Sequence, residues 1–88
     1  MNGQTSVEKQ LLAFLGENAY VSGELEPTTD LIETGVLDSL LVTDLVLFVE
    51  SSFGIGLNPG NISPKHFRNV ECLARLIVEK LEKERKAA

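Results

Sequence analysis

Hydrophobic residues recur at helical spacing in three stretches of the chain. In the first, over residues 5–18, apolar side chains repeat at intervals of four, three and one residues: Val7, Leu11, Phe14 and Leu15. Thr5 or Ser6 is suited to cap this helix, and its apolar stripe predicts one buried face.

The second stretch, residues 39–53, contains no Gly or Pro, follows the N-cap candidate Asp38 and is closed by Gly54. At about 100° per residue, one face carries the predicted core stripe: Val42, Leu45, Val46, Val49 and Phe53. Leu41 and Phe48 lie at its border and could belong to either side. The opposite side holds Ser39, Leu40, Thr43 and Leu47, so both of these leucines are predicted to be exposed.

A long connection joins these two helices, because Gly23 and Pro27 end the helical pattern. Its apolar residues are numerous enough to fix an ordered loop to the core, with a turn after Thr29: Val21, Leu25, Leu31, Ile32, Val36 and Leu37.

The third stretch lies at the carboxyl end, after a link rich in Gly and Pro. Ser63 and Pro64 predict the start of a short helix over 64–67. Asn69 can cap a last helix over 70–84, whose apolar stripe is Val70, Leu73, Ala74, Ile77 and Leu81. No strand alternation occurs, so the chain is predicted to be all-α: one domain over 1–88, a small bundle of three main helices plus one short helix.

Composition fits a folded domain, with 43% hydrophobic and 24% charged residues. The net charge is −5, and no Lys or Arg occurs between Lys9 and Lys65. This acidic middle disfavours nucleic acid and anionic lipid and favours a protein partner, although it could also serve solubility alone. With a single cysteine, no signal-peptide pattern and no apolar run long enough for a bilayer, we expect a cytoplasmic monomer without a membrane span.

Candidate chemistry is sparse. His66 has no evident catalytic partner, and Cys72 lies off the stripe of the last helix and is predicted to be exposed. We therefore expect no catalytic residue and no metal site. Ser39 is different, because it follows Asp38 at the positive end of a helix dipole, where a phosphate ester is favoured. The alternative is that Asp38 only caps the helix and Ser39 is an ordinary exposed serine.

The segment Gly35-Val36-Leu37-Asp38-Ser39-Leu40 resembles the phosphopantetheine attachment motif of acyl and peptidyl carrier proteins. The order and spacing of the other elements, from about Val7 to Leu81, resemble that family as well. The resemblance implies that Ser39 receives 4'-phosphopantetheine from coenzyme A and that Asp38 helps the modifying enzyme to hold its magnesium. It also implies that Leu40, Leu47 and Glu50 belong to a partner-recognition helix, on which Thr43 and Asp44 also lie.

Departures from the family pattern narrow the expected role. Leu41 stands where fatty-acid carriers usually have an acid, and Ser51-Ser52 replaces a Glu-rich helix end. The chain is more similar to the discrete carriers of specialised pathways, namely pathways that resemble polyketide or nonribosomal peptide synthesis. Such carriers are served by a phosphopantetheinyl transferase, an acyl- or aminoacyl-adenylating ligase, and acyl-transferring or condensing enzymes. The alternatives are a fatty-acid-synthesis carrier, an unmodified helical interaction module and, more weakly, a hydrolase using Ser39 without a base.

Overall fold

The computed structural model of the protein describes residues 3–18 and 25–87. Within these residues it contains four α-helices and no strand: α1 (Gly3–Asn18), α2 (Ser39–Phe53), α3 (Pro64–Phe67) and α4 (Val70–Ala87). The all-α prediction, with three main helices and one short one, is confirmed. None of the described helices is long and apolar enough to cross a membrane.

Helix α1 begins at Gly3, earlier than the predicted cap at Thr5 or Ser6, and ends at Asn18 as predicted. Val7, Leu11 and Leu15 are buried on one face. Phe14 is half-buried, and its ring stacks on that of Phe48 with a centroid separation of 4.4 Å. This stacking joins α1 to α2 at the edge of the core.

Helix α2 has the predicted bounds, and both of its predicted caps form. Asp38 Oδ1 accepts a hydrogen bond from the Leu41 N–H at 2.8 Å. Gly54 adopts a left-handed conformation with φ of 68°, and its N–H donates to the Glu50 carbonyl at 3.0 Å. The helix therefore begins and ends where its backbone groups find local partners.

The predicted core stripe of α2 is partly wrong. Its buried residues are Leu41, Leu45 and Val49, whereas three residues of the predicted stripe are only half-buried: Val42, Val46 and Phe53. Because apolar residues surround most of this helix, the sequence periodicity leaves the orientation of its buried face poorly determined. Leu41, placed at the border by sequence, is in the core at 8% exposure.

The connection between α1 and α2 is ordered over its described part, residues 25–38. Leu31 and Leu37 are buried, and Leu25 and Val36 pack against the core, as predicted. Ile32 is wrong as an anchor, because it is 45% exposed. The predicted anchor Val21 lies outside the described residues.

The chain after α2 passes through a 3-10 helix, Pro59–Asn61, before α3. That helix was not predicted; Asn58 and Asn61 stabilise it by a reciprocal pair of hydrogen bonds, both 3.1 Å. Helix α4 is capped as predicted, since the Cys72 N–H donates to Asn69 Oδ1 at 2.7 Å. It continues to Ala87, beyond the predicted end at residue 84, and Cys72 is half-buried rather than exposed.

The core side of α4 is close to the predicted one. Four residues of the predicted stripe are buried: Val70, Leu73, Ala74 and Ile77. The fifth, Leu81, is only half-buried, and Leu76 is buried although it was not predicted to be.

Candidate functional site

Ser39 occupies the first position of α2, and its side chain is exposed. Asp38, also exposed, precedes it in an extended conformation, with φ of −113° and ψ of −179°. The backbone N–H groups of Ser39 and Leu40 have no hydrogen-bond partner among the described residues. The serine hydroxyl therefore lies in solvent beside free donors at the positive end of a helix of 15 residues.

The turn before Ser39 is organised by Asp30. Its Oδ1 accepts hydrogen bonds from the N–H groups of Ile32 at 3.1 Å and Glu33 at 2.8 Å. The Gly35 N–H closes the turn on the Ile32 carbonyl at 3.1 Å, with Gly35 at φ of 78°. The hydrogen bond from Glu33 is the main reason that the pKa of Asp30 lies below its usual value. The turn predicted after Thr29 is thus confirmed.

Two backbone hydrogen bonds join this turn and the preceding segment to the end of α3 and the start of α4. The Leu31 N–H donates to the Arg68 carbonyl at 2.7 Å, and the Glu71 N–H donates to the Pro27 carbonyl at 3.0 Å. Arg68 Nε also lies 3.4 Å from Asp30 Oδ2. The Leu37 N–H then donates to the Leu31 carbonyl at 2.9 Å, so the approach to Ser39 has a fixed position relative to α3.

The outer face of α2 carries the predicted contact residues. Leu40 and Leu47 are 79% and 59% exposed, and Thr43 and Asp44 are exposed as well. Glu50 is half-buried, and its Oε2 accepts a hydrogen bond from the Leu57 N–H at 3.0 Å. Four of the five residues therefore face solvent, whereas Glu50 also supports the link that follows α2. Their role in binding a partner stays a prediction.

An apolar groove of about 310 Å³ begins at Ser39 and runs between the turn at Ile32 and helix α3. Its walls include Ile32, Ile62 and Phe67. Sequence reasoning missed this groove, because Ile62 lies in a link rich in Gly and Pro with no helical periodicity, and Ile32 was assigned to the core.

A metal site in the described part of the chain would need several ligating side chains close together. No group of three or more His, Cys, Asp or Glu side chains there could hold a metal ion. The side chain of His66, half-buried on α3, makes no hydrogen bond or ion pair within those residues.

Comparison with known proteins supplies the family. No protein-family model matches the chain. Aminoacyl carrier protein 2 of Bradyrhizobium diazoefficiens is 32% identical over 81 residues, which are 92% of this chain and 89% of the relative. Aminoacyl carrier protein 1 of the same organism is 30% identical over 74 residues, or 84% and 80% of the two chains. The chain belongs to the aminoacyl carrier protein family. Carrier proteins hold substrates for other proteins to convert, so this chain is not an enzyme.

A solved structure has a similar fold. A chain from a structure reported as "Crystal structure of FAD-dependent dehydrogenase" has a TM-score of 0.67 and 32% sequence identity with this chain. The similarity covers 81% of this carrier and 97% of that chain. The carrier thus shares its helical arrangement with a protein chain of similar size.

Proposed function

We propose that Ser39 carries 4'-phosphopantetheine, transferred from coenzyme A, and that the protein presents aminoacyl or acyl groups on that arm to partner enzymes. The observation that carries the proposal is the exposed Ser39 hydroxyl beside the free N–H groups of Ser39 and Leu40. A phosphodiester on this oxygen bears a negative charge, which the helix N-terminus stabilises.

The residues around Ser39 fit such a group in a second respect. The Asp38 side chain accepts a hydrogen bond from the Leu41 N–H through Oδ1, while Oδ2 makes no hydrogen bond or ion pair with the described residues. A carboxylate oxygen is a suitable ligand for the magnesium ion of a transferase, as the family resemblance implies. The phosphopantetheine group, once attached, supplies a terminal thiol on which a carboxylic or amino acid is held as a thioester. The chain itself holds and orients this arm.

Partner enzymes follow from this role. We propose a phosphopantetheinyl transferase, an acyl- or aminoacyl-adenylating ligase and downstream acyl-transferring or condensing enzymes, all acting on a cytoplasmic monomer of a specialised pathway. The names of the two relatives favour an aminoacyl cargo. The arm makes delivery local, because a tethered group has a high effective concentration at a docked partner.

A dehydrogenation step is a further candidate for the downstream chemistry. The chain matched in the FAD-dependent dehydrogenase structure is of carrier size, since 97% of it aligns with 81% of this chain. We therefore include a flavin-dependent dehydrogenase, acting on the carried group, among the enzymes that this carrier could serve.

The intact mass of the protein tests whether Ser39 carries phosphopantetheine. The purified protein, incubated with coenzyme A and a broad-specificity transferase, is expected to gain the mass of one phosphopantetheine group. Ser39→Ala is expected to fold normally and gain no mass. Ser52→Ala, which removes another exposed serine of α2, is the matched control and should be modified like the unaltered protein. Modification of Ser39→Ala would refute the proposal.

A further inference from the structure

The apolar groove that begins at Ser39 has no side chain of the described residues to fill it. Ile32 and Ile62 on its walls remain 45% and 38% exposed, whereas Phe67 in the same wall is 3% exposed. Exposed isoleucines on either side of a groove are shielded from water if an apolar group occupies the space between them, and burying their apolar surface is favourable. Since Ser39 lines the groove, a group attached to its hydroxyl begins at the groove's edge.

We propose that this groove seats the first part of the phosphopantetheine arm, namely its two geminal methyl groups, between Ile32 and Ile62. The inference rests on the proposed function of Ser39. In the arm, these methyl groups lie on the second carbon from the phosphate ester oxygen, so the tether brings them close to the serine. They are also the most apolar part of an arm that otherwise carries a hydroxyl and two amides.

The groove is held open by contacts that the arm does not have to form. Leu31 and Arg68 join the turn to the start of α4 by the hydrogen bond of 2.7 Å, and this fixes Ile32 relative to α3. The other wall contains Ile62, which lies between the 3-10 helix and Ser63, the N-cap residue of α3. The reciprocal hydrogen bonds of Asn58 and Asn61 stabilise the 3-10 helix that precedes it. A site whose walls are already in place loses little conformational freedom when it is filled.

A second hollow beside α2 is less suited to the methyl groups. Its lining includes the carboxylates of Asp38 and Asp44 together with Asn18. The groove at Ile32 and Ile62 has Asp38 as its only ionisable lining residue. Apolar groups therefore prefer the groove, and the arm leaves Ser39 toward α3 rather than toward Leu40.

This direction has a consequence for the cargo. An arm seated only by its first carbons still extends its thiol beyond Ile32 and Ile62. The carried group would then stay accessible to partner enzymes instead of being sheltered among the helices.

Methyl NMR of the full chain before and after modification provides the test. We expect the methyl signals of Ile32 and Ile62 to shift on modification and to show nuclear Overhauser contacts with the geminal methyl groups of the arm. Leu47 methyl signals, on the outer face of α2, should not move. Modification should also raise the melting temperature by about 2–4 °C, an effect expected if roughly two methyl groups become partly buried.

Variants separate this inference from the proposed function. Ile62→Ser should abolish the gain in melting temperature, whereas Leu47→Ser should retain it; both replace an exposed apolar residue. Normal mass gain without contacts between the arm and the two isoleucines would overturn the inference alone. Contacts that appear only after an amino acid is loaded would also overturn it, because the cargo would then be the occupant. Failure to gain mass would refute the proposed function and this inference with it.

Discussion

Gly35 shows how a single residue determines the approach to Ser39. It adopts φ of 78°, and a Cβ atom placed on it would meet no other atom within 4 Å. Gly35→Ala therefore tests backbone conformation without a clash. It is expected to lower the free energy of unfolding by about 1–2 kcal/mol, because a left-handed conformation is unfavourable for a residue with a Cβ atom.

Gly56→Ala is the matched control for this change, measured by urea denaturation of both variants. Gly56 is also free of neighbours within 4 Å, but it does not adopt a positive φ. It should therefore be neutral, or stabilising by up to about 1 kcal/mol, since alanine restricts the unfolded chain. Equal destabilisation by both changes would show that the left-handed conformation of Gly35 is not the cause.

At the scale of single residues, features that depend on neighbouring residues in the sequence were predicted better than features that depend on distant contacts. The caps at Asp38, Gly54 and Asn69 depend on atoms within four residues, so the sequence was sufficient to find them. The exposure of Ile32 depends on how Asp30 folds the turn and on its distance from α3, which no local pattern contains. The exposed position of Ser39 at the start of α2 was predictable, whereas the groove beside it was not.

At the scale of the element, α2 divides its leucines between two roles. Leu45 is fully buried and Leu47 is 59% exposed, although they are two positions apart on one helix. Leu45→Ala is expected to cost about 2–5 kcal/mol of unfolding free energy, the range for a buried leucine. Leu47→Ala should cost less than about 0.5 kcal/mol, as surface substitutions usually do.

Urea denaturation of the two variants, together with loading by the cognate ligase, distinguishes these roles. Leu47→Ala should slow loading while leaving stability nearly unchanged. A cost for Leu47→Ala close to that of Leu45→Ala would place it in the core instead. Unchanged loading would remove it from the contact surface.

Helices α2 and α4 differ in how well their faces could be predicted, for a physical reason. In α4, charged residues such as Arg75 and Glu79 mark the solvent side, so Val70, Leu73 and Ile77 were assigned correctly to the core. In α2, apolar residues lie on both sides, because one face packs inward and the other is free for contacts. The error at Val42 and Leu41 thus reflects the apolar outer face from which the proposed docking role was inferred.

At the scale of the whole molecule, acidic residues dominate the middle of the chain, with no Lys or Arg between Lys9 and Lys65. On α2, however, Asp44 is the exposed acid, since Glu50 is half-buried and hydrogen-bonded to the Leu57 N–H. The overall charge can speed encounter with a basic partner, but few charges lie where docking is proposed. We therefore expect overall charge to affect the rate of encounter with a partner, and apolar contact to stabilise the docked complex.

The expected magnitudes indicate whether charge or apolar contact contributes more to loading. Charge interactions at a surface are screened over a Debye length of about 8 Å at physiological ionic strength, so raising salt should lower the rate of loading by less than roughly tenfold. Burying an exposed leucine stabilises a complex by about 1.5–3 kcal/mol, which corresponds to roughly tenfold or more in affinity. Leu40→Ala and Leu47→Ala should therefore reduce loading more than salt does.

The measurement is loading of the phosphopantetheine-modified protein by its adenylating ligase across a salt series, beside the two leucine variants. Asp44→Asn and Glu17→Gln form a matched pair, because each removes one exposed negative charge, from α2 and α1 respectively. If only overall charge matters, both should slow loading equally at low salt; if α2 docks, Asp44→Asn should have the larger effect. A steep salt dependence with unaffected leucine variants would contradict recognition by apolar contact. It would instead favour the charge-led recognition expected of a carrier for fatty-acid synthesis.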